Sequence, residues 1–189
     1  FYMSLDSIKE RLSKDAFAIQ LPIGAESTFS GLVDIITKKA YKFEGEHGEN
    51  IVEIEVPADL TEKVEKYRAE LVEKVAESNE ELMNKYLGGE ELTEDEIIKG
   101  IRILTLKNEV YPVLCGSALA NIGVQFMLDS VVASLPSPLD LPDLFAHDND
   151  DEEKQILVKP SDDASFCALA FKIATDPFVG KLAFFRVYS

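Results

Sequence analysis

The sequence predicts an α/β protein that carries a smaller α+β subdomain. Three observations carry that reading. Val110, Tyr111, Pro112, Val113, Leu114 and Cys115 form an apolar run of strand length, Gly116-Ser117-Ala118 breaks it, and Val124, Met127, Leu128, Val131 and Leu135 follow at helical spacing. Ile51, Glu53 and Glu55 alternate with Val52, Ile54 and Val56 behind a turn holding Gly45 and Gly48, the period of a half-buried strand. Leu60, Val64, Tyr67, Leu71, Val75, Leu82 and Tyr86 track one helical stripe.

Taken in order, residues 4–12 read as a helix with Leu5, Ile8 and Leu12 on one face, and 16–21 as a strand closed by Pro22 and Gly24. Residues 29–36 read as a second strand, with 38–43 continuing it or hairpinning back. The long helix opens on Asp59 with Glu62 three residues later, a capping-box pattern, and a break is expected near Ser78-Asn79. Gly88-Gly89 stops it. Thr93 and Glu96 form a second capping box, ahead of a helix through Ile97, Ile101, Leu104 and Leu106. Asn121 suits the N-cap of the helix that ends at Pro136-Ser137-Pro138. Beyond it, Asp148-Asn149-Asp150-Asp151-Glu152-Glu153 and Pro160-Ser161-Asp162-Asp163 make an acidic, irregular stretch that reads as a linker. Residues 166–173 and 181–188 are strand-like about a turn at 176–180; such a hairpin alone is marginal in water.

The length of 189 residues allows one large domain or two small ones, and a chain of this size can bury roughly 70% of its unfolded surface. Asp+Glu 35 against Lys+Arg 19 gives a net charge of −16. That argues against a nucleic-acid surface, which needs clustered cations, and favours a basic protein partner or solubility alone. Cys115 and Cys167 form no CxxC and are expected to be reduced thiols of a cytoplasmic protein. His47 and His147 are isolated, so no metal site is expected. No apolar run reaches membrane-spanning length. There is no initiator Met or signal peptide, and both ends fall in structured-looking sequence, so a piece of a longer chain is expected.

Two places attract functional attention. In α/β sheets, ligands sit outside the carboxyl ends of strands, and Cys115-Gly116-Ser117-Ala118 lies at such an end. Small residues there let backbone N–H groups approach a flat ligand; an ordinary strand-to-helix turn has the same pattern. Glu73, Glu77 and Glu80 recur at i, i+4 and i+7, with Glu81 beside them, a row of carboxylates on the far face of the long helix. The row is either a solvated face or a docking face for a basic partner, whose cations would relieve the repulsion. No apolar pocket can be inferred to raise a carboxyl pKa, so no catalytic residue is expected.

Several longer stretches, in order, bear a resemblance. Lys85-Tyr86-Leu87-Gly88-Gly89-Glu90-Glu91-Leu92-Thr93-Glu94, Cys115-Gly116-Ser117-Ala118, Asn121-Ile122-Gly123-Val124-Gln125, Leu135-Pro136-Ser137-Pro138 and the run from Ala168 to Gly180 together resemble bacterial elongation factor G, over essentially the whole chain. The resemblance implies a translational GTPase that hydrolyses GTP while moving tRNA and mRNA on the ribosome. It implies an α/β architecture: the C-terminal remainder of a P-loop GTPase domain with an inserted α+β subdomain, then the truncated start of a β-barrel domain. In these terms residues 1–13 are a GTPase-domain helix, 14–108 the insert, 109–138 the last strand, guanine loop and helix, 139–165 an acidic linker, and 166–189 the first barrel strands.

On the same resemblance, Gly116, Ser117, Ala118 and Leu119 are the guanine loop. The Ala118 N–H reaches the guanine carbonyl oxygen and Ser117 braces the loop; Leu119 stands where many small GTPases carry Lys. Glu73, Glu77, Glu80 and Glu81 would meet the basic C-terminal domain of the ribosomal stalk protein. GTP or GDP and Mg²⁺ belong to the full-length protein. This chain has no G-x-x-x-x-G-K-[ST] and no N-K-x-D, so alone it is expected neither to bind nor to hydrolyse GTP. A monomer is expected, without DNA or membrane as partner. A mitochondrial or recycling paralogue and a tetracycline ribosomal-protection protein share these implications.

Overall fold

The computed structural model describes residues 1–148, 150–151 and 153–189. They are mixed α/β and divide into two units, Phe1–Leu135 and Pro136–Ser189.

The first unit runs α1 (Tyr2–Arg11), β1 (Ala16–Ala18), β2 (Gln20–Ile23), β3 (Gly31–Asp34), β4 (Lys39–Glu44), β5 (Asn50–Ile54), α2 (Ala58–Ala76), α3 (Glu80–Leu87), α4 (Glu94–Leu106), β6 (Tyr111–Val113) and α5 (Val124–Ser134). Strands β2-β3-β4-β5 form an antiparallel meander, and β1 pairs in parallel with β6, Ala16 facing Tyr111. The single strand expected over 16–21 is therefore two strands in two sheets. Ile19 is the joint: its N–H donates to the Val113 carbonyl at 2.9 Å, and its carbonyl accepts the Ile35 N–H at 3.0 Å. Of the two readings of 38–43, the hairpin is the observed one. Asp34 Oδ1 accepts the N–H groups of Ile36 (2.8 Å) and Thr37 (2.9 Å), which ends β3 and turns the chain into β4. The Arg68 guanidinium of α2 donates to the carbonyls of Ile35 and Ile36 and ties that turn to the helix.

One apolar core joins the meander to the helices. Leu21, Val33, Ile35 and Ala40 of the sheet side meet Leu5 of α1, Leu60, Val64, Leu71 and Val75 of α2, Leu82 of α3, and Ile97 and Ile101 of α4. The buried residues of α2 recur at the spacing that its sequence stripe predicts. Its start does not follow the capping box expected at Asp59. Pro57, at φ −55°, is the N-cap and makes no side-chain cap bond. Asp59 is the second helical residue, within the first turn, where the helix dipole favours its charge. The break at Ser78-Asn79 is present, and Asn79 Oδ1 caps α3 by accepting the Leu82 N–H at 2.9 Å. The capping box at α4 forms as expected, with Glu96 Oε2 accepting the Thr93 N–H at 2.9 Å and Thr93 Oγ1 accepting the Glu96 N–H at 3.3 Å.

Helix α5 departs from expectation at both its cap and its stripe. Gly123, at φ +78°, is the N-cap in place of Asn121. Asn121 itself is left-handed, at φ +53°, and its Oδ1 accepts from Gln125 Nε2 at 3.3 Å. Met127, Leu128, Val131 and Leu135 keep helical spacing yet are exposed. Phe126 faces inward instead, its ring 4.8 Å from Tyr41 and 6.1 Å from Phe43 of the meander. Periodicity identifies a helix; burial also needs a surface to pack against, and Phe126 has one in the meander, while the C-terminal end of α5 meets α4 through Arg102, which donates to the Ala133 and Leu135 carbonyls.

In the second unit, β7 (Leu144–His147) pairs antiparallel with β8 (Gln155–Val158), and β9 (Ala168–Asp176) with β10 (Gly180–Val187). The stretch 139–165, read as an irregular linker, thus contains a hairpin. Its strands are short, and their apolar residues Leu144, Phe145, Ile156 and Leu157 are masked in sequence by the acidic run between them. Asn149 and Glu152 of that run lie outside the described residues. The ribbon of β9 and β10 carries a bulge between Phe184 and Phe185. Among the described residues the sheets are small and none closes into a barrel. No helix among them is long and apolar enough to cross a membrane.

Candidate functional site

The loop at the carboxyl end of β6 is built by a tight backbone closure. Ser117 and Ile122 exchange both backbone hydrogen bonds, at 2.9 and 3.0 Å. Inside this closure the Asn121 N–H donates to the Ala118 carbonyl (3.2 Å), and the Ala120 N–H to Ser117 Oγ (3.4 Å). Ser117 is therefore the brace of the loop. A Cβ on Gly116 would lie 2.7 Å from the Ile122 carbonyl oxygen, so only glycine permits the closure.

The N–H groups of Gly116, Ala118 and Leu119 donate to nothing among the described residues. Gly116, Ala118 and Leu119 are exposed, and Leu119 is fully so at 102%. Adjacent free N–H donors on a braced turn suit a carbonyl oxygen or another acceptor edge. Cys115, just before them, is no nucleophile: burial pushes its thiol up to about 12.

Two partners of this loop carry no obvious mark in the sequence. Gln20 is buried in β2, and its Oε1 accepts the Cys115 N–H at a long 3.5 Å. A polar residue within an apolar strand run is the signal that could have found it. Gly48, in the β4–β5 turn, is buried against the loop's far side, where a Cβ would lie 2.5 Å from the Ala120 carbonyl oxygen. Its signal was the second glycine of that turn.

The carboxylates are placed differently from the single i, i+4, i+7 row expected on the far face of the long helix. Glu73 is on α2, Glu77 is the C-cap residue of α2, and Glu80 and Glu81 open α3. All four are exposed. The i, i+4, i+7 arithmetic fails at Asn79, whose extended backbone (φ −160°, ψ 163°) redirects the chain. The turn nevertheless brings Glu77 and Glu80 to one shallow depression, shared with Asn79, Met83 and Asn84; Glu81 lies outside it. Glu77 is partly neutralised by Lys74, at 2.7 Å. Glu73 and Glu80 form no salt bridge among the described residues, and Glu81 forms none either, although the Lys85 ammonium one turn on interacts with it electrostatically. Glu80 and Glu81 sit at the N-terminus of α3, where the helix dipole stabilises negative charge. Among the described residues no group of three or more His, Cys, Asp or Glu side chains is placed to hold a metal ion.

No family model matches the chain. It is similar to a solved crystal structure of a protein from Thermus thermophilus, with a TM-score of 0.75 and 29% identity over 99% of this chain. The chain spans 25% of the length of that protein.

Proposed function

We propose that this chain is a segment of a translational GTPase of the elongation factor G type, the enzyme that hydrolyses GTP as tRNA and mRNA move on the ribosome in the cytoplasm. On this reading α1, β6, the 116–119 loop and α5 belong to the GTPase domain, the meander with α2, α3 and α4 is its insert, and the β9–β10 ribbon begins a β-barrel domain. The observation that carries the reading is the pair of N–H donors at the exposed Ala118 and Leu119, which no described group accepts, beyond the carboxyl end of a parallel strand. They fit the carbonyl edge of a guanine. The rest of the pocket, the phosphate cradle and the Mg²⁺ ligands are assigned to other parts of the full-length protein; when bound there, the ion would screen phosphate charge. The chain alone is therefore a docking module rather than a catalyst. Calorimetric titration with GDP tests this: no binding is expected, and micromolar affinity of the isolated chain would refute it.

The docking partner is the C-terminal domain of the ribosomal stalk protein, met through Glu73, Glu77, Glu80 and Glu81. The support is electrostatic: exposed carboxylates, three of them outside any salt bridge among the described residues, on a chain of net charge −16. Replacing Glu73→Lys together with Glu80→Lys should weaken binding by about tenfold at low salt and flatten its salt dependence. Unchanged affinity at low salt would end the assignment.

A further inference from the structure

We infer that the β4–β5 turn is a positioning element for the 116–121 loop, with Gly48 as its contact residue. That the loop's ligand is a guanine rests on the preceding reading; the contact does not. Gly48 is buried although it lies in a turn whose neighbours Glu46, His47 and Glu49 are exposed. It is at φ +60°, and a Cβ there would lie 2.5 Å from the Ala120 carbonyl oxygen and 3.3 Å from that of Asn121. Both obstacles are backbone, so a side chain at 48 cannot be accommodated by a rotamer change.

Two further features hold turn and loop in register. Asn121, which also lies against Gly48, is itself left-handed at φ +53°. At the base of the same hairpin, Tyr41 and Phe43 hold Phe126 of α5, while Leu32 Cδ2 would be 3.2 Å from a Cβ on Gly123. The loop is thus supported at Ala120-Asn121 by the turn and beyond Gly123 by the meander's side chains. Ala118 and Leu119, immediately before the first support, are exposed. A displacement of the hairpin reaches the donor groups through backbone-to-backbone contact, without a flexible side chain to absorb it.

The test uses this chain and amide hydrogen exchange at Ser117 and Ile122, the two amides that close the loop. Gly48→Ala should raise exchange at both by about tenfold or more, while amides of the β4–β5 ladder stay protected. Gly45→Ala is the control: it lies in the same turn at φ +97°, but the three atoms nearest its Cβ belong to the flexible Glu49 side chain rather than to the loop backbone. It carries comparable backbone strain and should leave Ser117 and Ile122 as in the wild type. Unchanged exchange in Gly48→Ala overturns the inference, as does an equal rise in Gly45→Ala, which would mark general loosening of the hairpin. Neither result depends on nucleotide, so failure of the guanine reading would appear separately, as absence of GDP binding by the full-length protein.

Discussion

Gly100 controls how closely α4 approaches α2. It is buried, and a Cβ there would lie 2.5 Å from Val75 Cγ1 and 3.2 Å from Ser78 Oγ. Gly100→Ala gains about 1 kcal/mol of helix propensity. Against this, overpacking costs about 1–3 kcal/mol, and the upper part of that range applies: Val75 is fully buried and, being β-branched, is held to one rotamer in a helix. The net expectation is a loss of about 1–2 kcal/mol. Val75→Ala alone should cost about 2 kcal/mol, from two methyl groups at about 0.8 each and a residual cavity. In the double variant the new methyl occupies part of the space that was vacated. The double should therefore lose about 1–2 kcal/mol less than the sum of the singles. Urea unfolding followed by the helical circular dichroism signal suits the measurement, because all five α-helices among the described residues lie in Phe1–Leu135. Additivity within about 0.5 kcal/mol would refute the close approach.

Two further outcomes follow from titratable groups. The Lys85 ammonium and the Thr93 amide hold the Glu96 carboxyl down, from its ordinary 4.5 to about 2. A depressed carboxyl stabilises the fold above its ordinary value and loses that contribution as pH falls from about 4.5 toward 2. Glu96→Gln should flatten the melting temperature across that window, and a wild-type Glu96 titration midpoint near 4.5 by NMR would contradict the pairing. Cys115, with its thiol near 12, has about one thiolate in ten thousand at pH 8. Its alkylation, read by mass spectrometry, should be negligible in the native protein and rise with urea; rapid labelling without denaturant would show that the β6 end is open.

The elements legible in sequence are those governed by neighbours along the chain. Thr93 and Glu96 are three residues apart and form their capping box; Ser78-Asn79 breaks the long helix where a cap-forming residue interrupts the stripe. The elements misread are those decided by partners far away in sequence. Nothing local tells Ile19 to serve two sheets, since its two hydrogen bonds reach residues 113 and 35. Asn121 looks like an N-cap, but the Ser117–Ile122 closure consumes the backbone before a cap can form, and Gly123 takes the position. At the candidate site, the loop itself was visible as a run of small residues behind a strand. Its support from Gly48 was not, because that contact spans more than seventy positions. The carboxylates were correctly placed outside the core, while their arrangement depended on the Asn79 turn.

Ile19 has a mechanical corollary. One amino acid links the parallel pair to the meander, and it is bonded on its amide side into the first and on its carbonyl side into the second. Shearing either sheet past the other would have to snap one of those bonds with no spare residue to take up the travel. The meander and the strand that launches the 116–119 loop should accordingly pivot as a single plate. A pull on the meander would arrive at the loop's root undiminished, much as a door frame moves when its hinge post does.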